Sequence, residues 1–148
     1  KKGSHQVEDE TREKHKEMHI EGRRIIKMED FIKQIKDLDK HSPCGCSFSD
    51  MIIIEERRLG LRSGFIFKCK MCNLTETVWS EIKTDTEIDV NTSAVSGTIA
   101  TGGGHAQLEE MLGAMNIPQM TDKTFRKYEH IVSKGWVATA QNEMNEAA

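Results

Sequence analysis

Four cysteines in two close pairs carry the clearest chemistry in this chain: Cys44 and Cys46 in "HSPCGCSF", and Cys69 and Cys72 in "FKCKMCN". Two thiolates held in one tight turn can be presented to a single metal ion, and two such turns complete the tetrahedron that zinc prefers. Residues 47–68 separate the halves, an interval that suits a hairpin leaving the first turn and returning to the second. The predicted ligands are therefore Cys44, Cys46, Cys69 and Cys72, with zinc as the cofactor and as the staple of a thin core. Two other readings of the same thiols stay open, namely buried cysteines without a metal and a redox or disulfide pair. His41 is close enough to replace one thiolate, although its place after a helical stretch reads first as a helix C-terminal residue. His15 and His19 stand four apart, but no second pair accompanies them, and a solvated polar segment is the plainer reading.

The elements that position the cysteines follow from periodicity. In "KMEDFIKQIKDLDKH", Phe31, Ile35 and Leu38 recur at helical spacing, which predicts a helix of about three turns that stops at "HSP", where the residue before Pro43 is pushed out of helical geometry. The stretch "DMIIIEERRLGLRSGFIFKCKMCNLTETVWSE" is rich in β-branched and aromatic residues and broken at Gly60, Gly64 and Asn73. It reads as an antiparallel meander with strands near 51–58, 63–69 and 74–80. From Asn91 onward the period becomes helical, with Asn91 as a cap, "TGGG" as a stop, and a second helix marked by Leu108, Met111, Leu112 and Met115. "NIPQMT" is a turn, and Thr121 caps a third helix holding Phe125, Tyr128, Ile131 and Val132. The fold class is α+β: a small zinc-stapled antiparallel ribbon, preceded by a helix and followed by a helix-turn-helix-like segment. Expected boundaries are a flexible segment 1–20, helix plus zinc ribbon 21–83, linker 84–90, helical subdomain 91–140 and flexible tail 141–148.

Catalysis finds little support. The carboxylates are scattered, "ATGGGHAQL" lacks the Lys-Ser/Thr of a phosphate loop, and Ser96, His105 and Asp122 form no motif, so no enzymatic activity is expected of these residues. A net charge of -3 excludes coating nucleic acid by bulk charge. Residues 84–148 carry four basic and nine acidic side chains, yet all four cations, Lys123, Arg126, Lys127 and Lys134, fall within twelve residues. Lys123, Arg126 and Lys127 are candidate DNA contacts on a second helix of helix-turn-helix layout, and Arg57, Arg58 and Arg62 on the ribbon are a second candidate set. A plain helical hairpin packed on the sheet explains the same helices. So does a self-assembly surface through Met111, Met115 and Met120, which leaves a homo-oligomer as an alternative partner to DNA. No apolar run of about 18 residues and no apolar h-region occurs, so no membrane partner, no small-molecule substrate and a reducing nuclear or cytoplasmic compartment are expected.

In order along the chain, "GRRII" at 22–26, "HSPCGCSF", "EERRLGLRSGFIFKCKMCNLTETVWSE" and "DVNTSAVSGTIATGGGHAQLEEMLGAMNIPQMTDKTFRKYEHIV" resemble the amino-terminal part of the Mutator-like transposase domain of animal mobile elements, over about residues 22–132. The resemblance implies a DNA-handling module or a domesticated derivative. It also implies that the ribonuclease-H-like core with its three metal-binding carboxylates lies beyond the part resembled.

Overall fold

The computed structural model describes residues 16–39, 41 and 45–147; Cys44, His15 and the Ser42–Pro43 stop signal lie outside them. Helix α1 spans Met28–Leu38, with Glu29 and Asp30 in its first turn and Lys36 in its last, charges that suit the helix dipole. Strands β1 (Met51–Leu59), β2 (Arg62–Cys69) and β3 (Thr75–Trp79) form one antiparallel sheet in the order β1-β2-β3, as the β-branched and aromatic composition and the turn residues predict. Helices α2 (Val90–Ala100), α3 (His105–Ala114) and α4 (Asp122–Glu146) follow, so the chain is α+β. Among the described residues no helix is long and apolar enough to cross a membrane.

Two apolar cores result. In the first, Phe31, Ile35 and Leu38 of α1 lie on Phe65, Phe67, Cys69 and Val78 of the sheet, with the Phe31 and Phe65 rings edge to face at 6.2 Å. In the second, Val95, Leu108, Leu112, Met120, Phe125 and Val132 from the three later helices close around Leu61, which the tip of the β1–β2 hairpin inserts among them. Helix α4 packs chiefly on α2 rather than on α3. The connection from 115 to 121 carries Ile117 and Met120 into the core.

Sheet register decides which side chains face α1. Met51 pairs with Cys69 and Ile53 with Phe67, but the register shifts between Ile53 and Glu55, after which Glu56 pairs with Phe65 and Arg58 with Ser63. An extra residue in a strand turns the following side chains over. The shift therefore brings Glu56 to the inner face, where Arg24 grips it through Nε to Oε1 and Nη2 to Oε2, both at 2.6 Å. The Ser63 hydroxyl donates to the same Oε1 at 2.7 Å. Arg23, next along, ties the segment to the far end of α3, its backbone N–H donating to the Asn116 carbonyl (2.8 Å) and its Nη1 to that of Met115 (3.0 Å). The "GRR" triplet thus joins the sheet to the helices.

The hairpin tip is the second junction. Asp89, not Asn91, caps α2, accepting from the Thr92 N–H at 2.8 Å. Asn91 is buried instead: its Oδ1 accepts from the Leu61 N–H (2.7 Å) and its Nδ2 donates to the Leu59 carbonyl (2.9 Å) and to the Tyr128 hydroxyl (3.3 Å). Gly60 sits between those two backbone groups at φ +67°, and a Cβ there would come within 2.3 Å of Asn91 Oδ1. Asn91→Ala strands the buried Leu61 N–H and the part-buried Leu59 carbonyl and is expected to cost about 2 to 3 kcal/mol. A urea midpoint equal to that of the unsubstituted protein would show that the tip does not depend on this residue.

Candidate metal centre

The CxxC turn is shaped by its own backbone. Cys69 ends β2, its N–H donates to the Leu74 carbonyl at 2.8 Å, and the chain reverses through Asn73 at φ 61°. The Met71 and Cys72 N–H groups then point at the Cys69 sulfur, at 3.4 and 3.5 Å. The loop bearing Cys46 is held by a short turn in which the Ser47 N–H donates to the Asp50 carboxylate (2.9 Å), and the Lys70 N–H reaches back to the Asp50 carbonyl (2.9 Å). These contacts fasten the two cysteine turns side by side.

His41, Cys46, Cys69 and Cys72 bring one nitrogen and three sulfurs within 4.8 Å of one another, a group that can hold a metal ion. Cys69 has no solvent exposure, Cys46 is buried and Cys72 stands at the surface. Of the four ligands expected from the spacing, three are brought together here, and Cys44 lies outside the described residues. His41 stands just past the end of α1 and accordingly takes a helix C-terminal contact, with Nδ1 2.6 Å from the Leu38 carbonyl. Its Nε2 is buried with no hydrogen-bond partner among the described residues. Burial opposes a charge on Cys69, but the N–H groups of Cys72 and Met71 and the His41 ring outweigh it and draw the thiol down to about 6. The same sulfur raises the His41 imidazole above its ordinary value.

The candidate DNA contacts are spread over two surfaces. On α4, Phe125 and Val132 are buried and Tyr128 is half-buried, while Lys123, Arg126 and Lys127 are exposed, so charge and core occupy opposite sides as the spacing requires. Thr121 caps this helix, its hydroxyl accepting from the Thr124 N–H at 3.2 Å. Arg126 pairs with Asp122 one turn back at 2.8 Å, and both are largely exposed. On the ribbon the register separates the arginines, with Arg57 facing away from α1 and Arg58 facing its side. Arg62 lies 4.1 Å over the Trp79 ring and donates to the Glu81 carbonyl. The ring itself lies over Gly64, where a Cβ would be 2.7 Å away. Of the three methionines offered as an assembly surface, Met120 is buried and only Met111 and Met115 face outward. His19 is exposed, and the metal-competent cluster above does not include it.

Sequence spacing did not single out the Arg24–Glu56 pair or the bridging role of Asn91, because their partners lie about thirty residues away and only the folded register brings them close. Comparison with known proteins adds one finding: a family profile described as Mutator-like transposase matches residues 22–148. No curated protein and no solved structure matches the chain. With the profile spanning all but the first 21 residues, the chain belongs to the Mutator-like transposase family.

Proposed function

We propose that this chain is a zinc-stabilised DNA-binding module of a Mutator-like transposase or of a domesticated derivative, contributing DNA contact rather than strand cleavage. The observation that carries the reading is the first half of α4. Its inner side is anchored by Phe125 and Val132, which leaves Lys123, Arg126 and Lys127 on a rigid, outward-facing cationic surface. An exposed i,i+4 pair such as Arg126–Asp122 is worth only a few tenths of a kcal/mol, so Arg126 can exchange its partner for a phosphate. Zinc suits the neighbouring donor set because it accepts thiolate sulfur and imidazole nitrogen in a closed tetrahedron. Tetrahedral thiolates on zinc stand about 3.8 Å apart, so a spread of up to 4.8 Å closes onto an ion with shifts of about 1 Å. Work on chromosomal DNA would place the protein in the nucleus.

The test is electrophoretic mobility of DNA at two salt concentrations with the Arg126→Ala/Lys127→Ala double variant. Loss of base-edge contacts is expected to cost about 1 to 3 kcal/mol of binding, and each lost phosphate contact should flatten the salt dependence by about one unit. The melting curve should hardly move, since both side chains are exposed. Unchanged affinity and slope would remove α4 from the DNA site and leave Arg57, Arg58 and Arg62 of the ribbon as the remaining candidates. A protein that binds no DNA but self-associates would favour the interaction-module reading, with Met111 and Met115 as its exposed apolar surface.

A further inference from the structure

We infer that His41, through Nε2, is the fourth ligand of the zinc centre, which makes the site Cys3His with Cys46, Cys69 and Cys72. The inference rests on the zinc reading above and specifies its ligand set. Its first support is the tautomer. A backbone carbonyl can only accept, so the ring nitrogen 2.6 Å from the Leu38 carbonyl must carry the proton, and a neutral imidazole then has its lone pair on Nε2. A carbonyl that holds the far nitrogen of a metal-bound histidine is the usual way such a ring is oriented and made more basic.

The second support is that Nε2 is buried without a hydrogen-bond partner among the described residues. Buried polar atoms without partners are rare, and one on a ring that brings a nitrogen within 4.8 Å of three sulfurs has an evident missing partner in a cation. Capping the end of α1 needs only Nδ1, so the cap and the ligand are not alternatives: the same ring does both. Three thiolates and a neutral imidazole on zinc carry one negative charge less than four thiolates, which suits a centre whose Cys69 and Cys46 are buried. The metal-free competitor is an imidazolium–thiolate pair between His41 and Cys69, and it predicts no metal at all.

Titration with Co(II), followed by competition with Zn(II), decides between these. Thiolate-to-cobalt charge transfer scales with the number of sulfurs bound, and the d–d bands move to longer wavelength as nitrogen is replaced by sulfur. Cys44→Ser is expected to keep the full absorption and the affinity of the unsubstituted protein. His41→Ala is expected to lose about 100-fold or more in zinc affinity, beyond the 10- to 100-fold typical of removing a second-shell contact. His41→Cys guards against a folding defect: with four thiolates it should bind cobalt with charge transfer raised by about one third and red-shifted d–d bands. A Cys44→Ser protein that loses about a quarter of its charge transfer, together with a His41→Ala protein that binds unchanged, overturns the assignment but keeps a four-cysteine zinc site. Failure of the unsubstituted protein to bind either ion overturns the zinc reading itself.

Discussion

Replacing Cys69 by Ser, or removing zinc with a chelator, is expected to unfold the sheet and α1 together. Cys69 is completely buried and belongs to two groups at once, the metal-competent cluster and the apolar core, where it sits with Met51, Phe67 and Leu38. The core it shares is thin, because one 11-residue helix covers a three-stranded sheet. Structural zinc contributes on the order of 10 kcal/mol in small modules, while a whole domain is stable by only about 5 to 15 kcal/mol. Loss of such an ion would therefore remove most or all of the margin. Circular dichroism during heating checks this: the unsubstituted protein should lose its transition in chelator and recover it on adding zinc, and Cys69→Ser should show neither the transition nor the recovery. A Cys69→Ser protein that melts like the unsubstituted one would show that the centre does not hold the sheet.

Glu56→Ala should be the most damaging change away from the cysteines. The Glu56 side chain is 5% exposed and that of Arg24 13%, and two parallel hydrogen bonds join them. Removing one member of such a pair leaves the other charge poorly solvated, at a cost of about 3 to 5 kcal/mol. The pair also has a pH signature. The Arg24 guanidinium holds the Glu56 carboxyl below its ordinary value of 4.5, against the opposing effect of burial and with help from the Ser63 hydroxyl. A carboxylate so depressed adds stability that is fully present above about pH 4.5 and is lost as pH falls through its folded-state value. Glu56→Gln should accordingly be less stable than the unsubstituted protein at pH 7, and the gap should narrow below pH 4. A gap that stays constant across that range would mean the charge of Glu56 contributes nothing.

How much of this was legible in the sequence depends on the distance between interacting residues. Helix α1 and the start of α4 were readable because Phe31, Ile35 and Leu38, and Phe125, Tyr128 and Val132, repeat at the period of the helix they form. The strands came within one residue at each end, since turn residues bracket them. The cap of α2 was misplaced by two positions because Asp89 and Asn91 both have cap chemistry, and only the distant Gly60 turn draws Asn91 inward. Neither face of β3 is apolar throughout, and the fold supplies the reason: Val78 faces α1 while Trp79 on the other face lies across Gly64, so both sides are partly covered. His41 was visible as a nearby nitrogen, but its choice as a ligand depends on which atom of the ring meets Leu38, and no spacing encodes that.

Pinning the β1–β2 hairpin at both ends restricts how the gene can change in length. One end is held at Cys69 among the metal-competent side chains and the other at Gly60 against Asn91, with eight register pairs in between. A single inserted codon within 62–68 would reverse every later side chain and turn Phe65 or Phe67 away from α1. A matched pair in each strand would restore the alternation but lengthen the ribbon by about 7 Å, pulling Leu61 out of the helical core. The exposed link 82–88 places no side chain in either core, so insertions and deletions that survive selection should collect there and leave the ribbon at constant length.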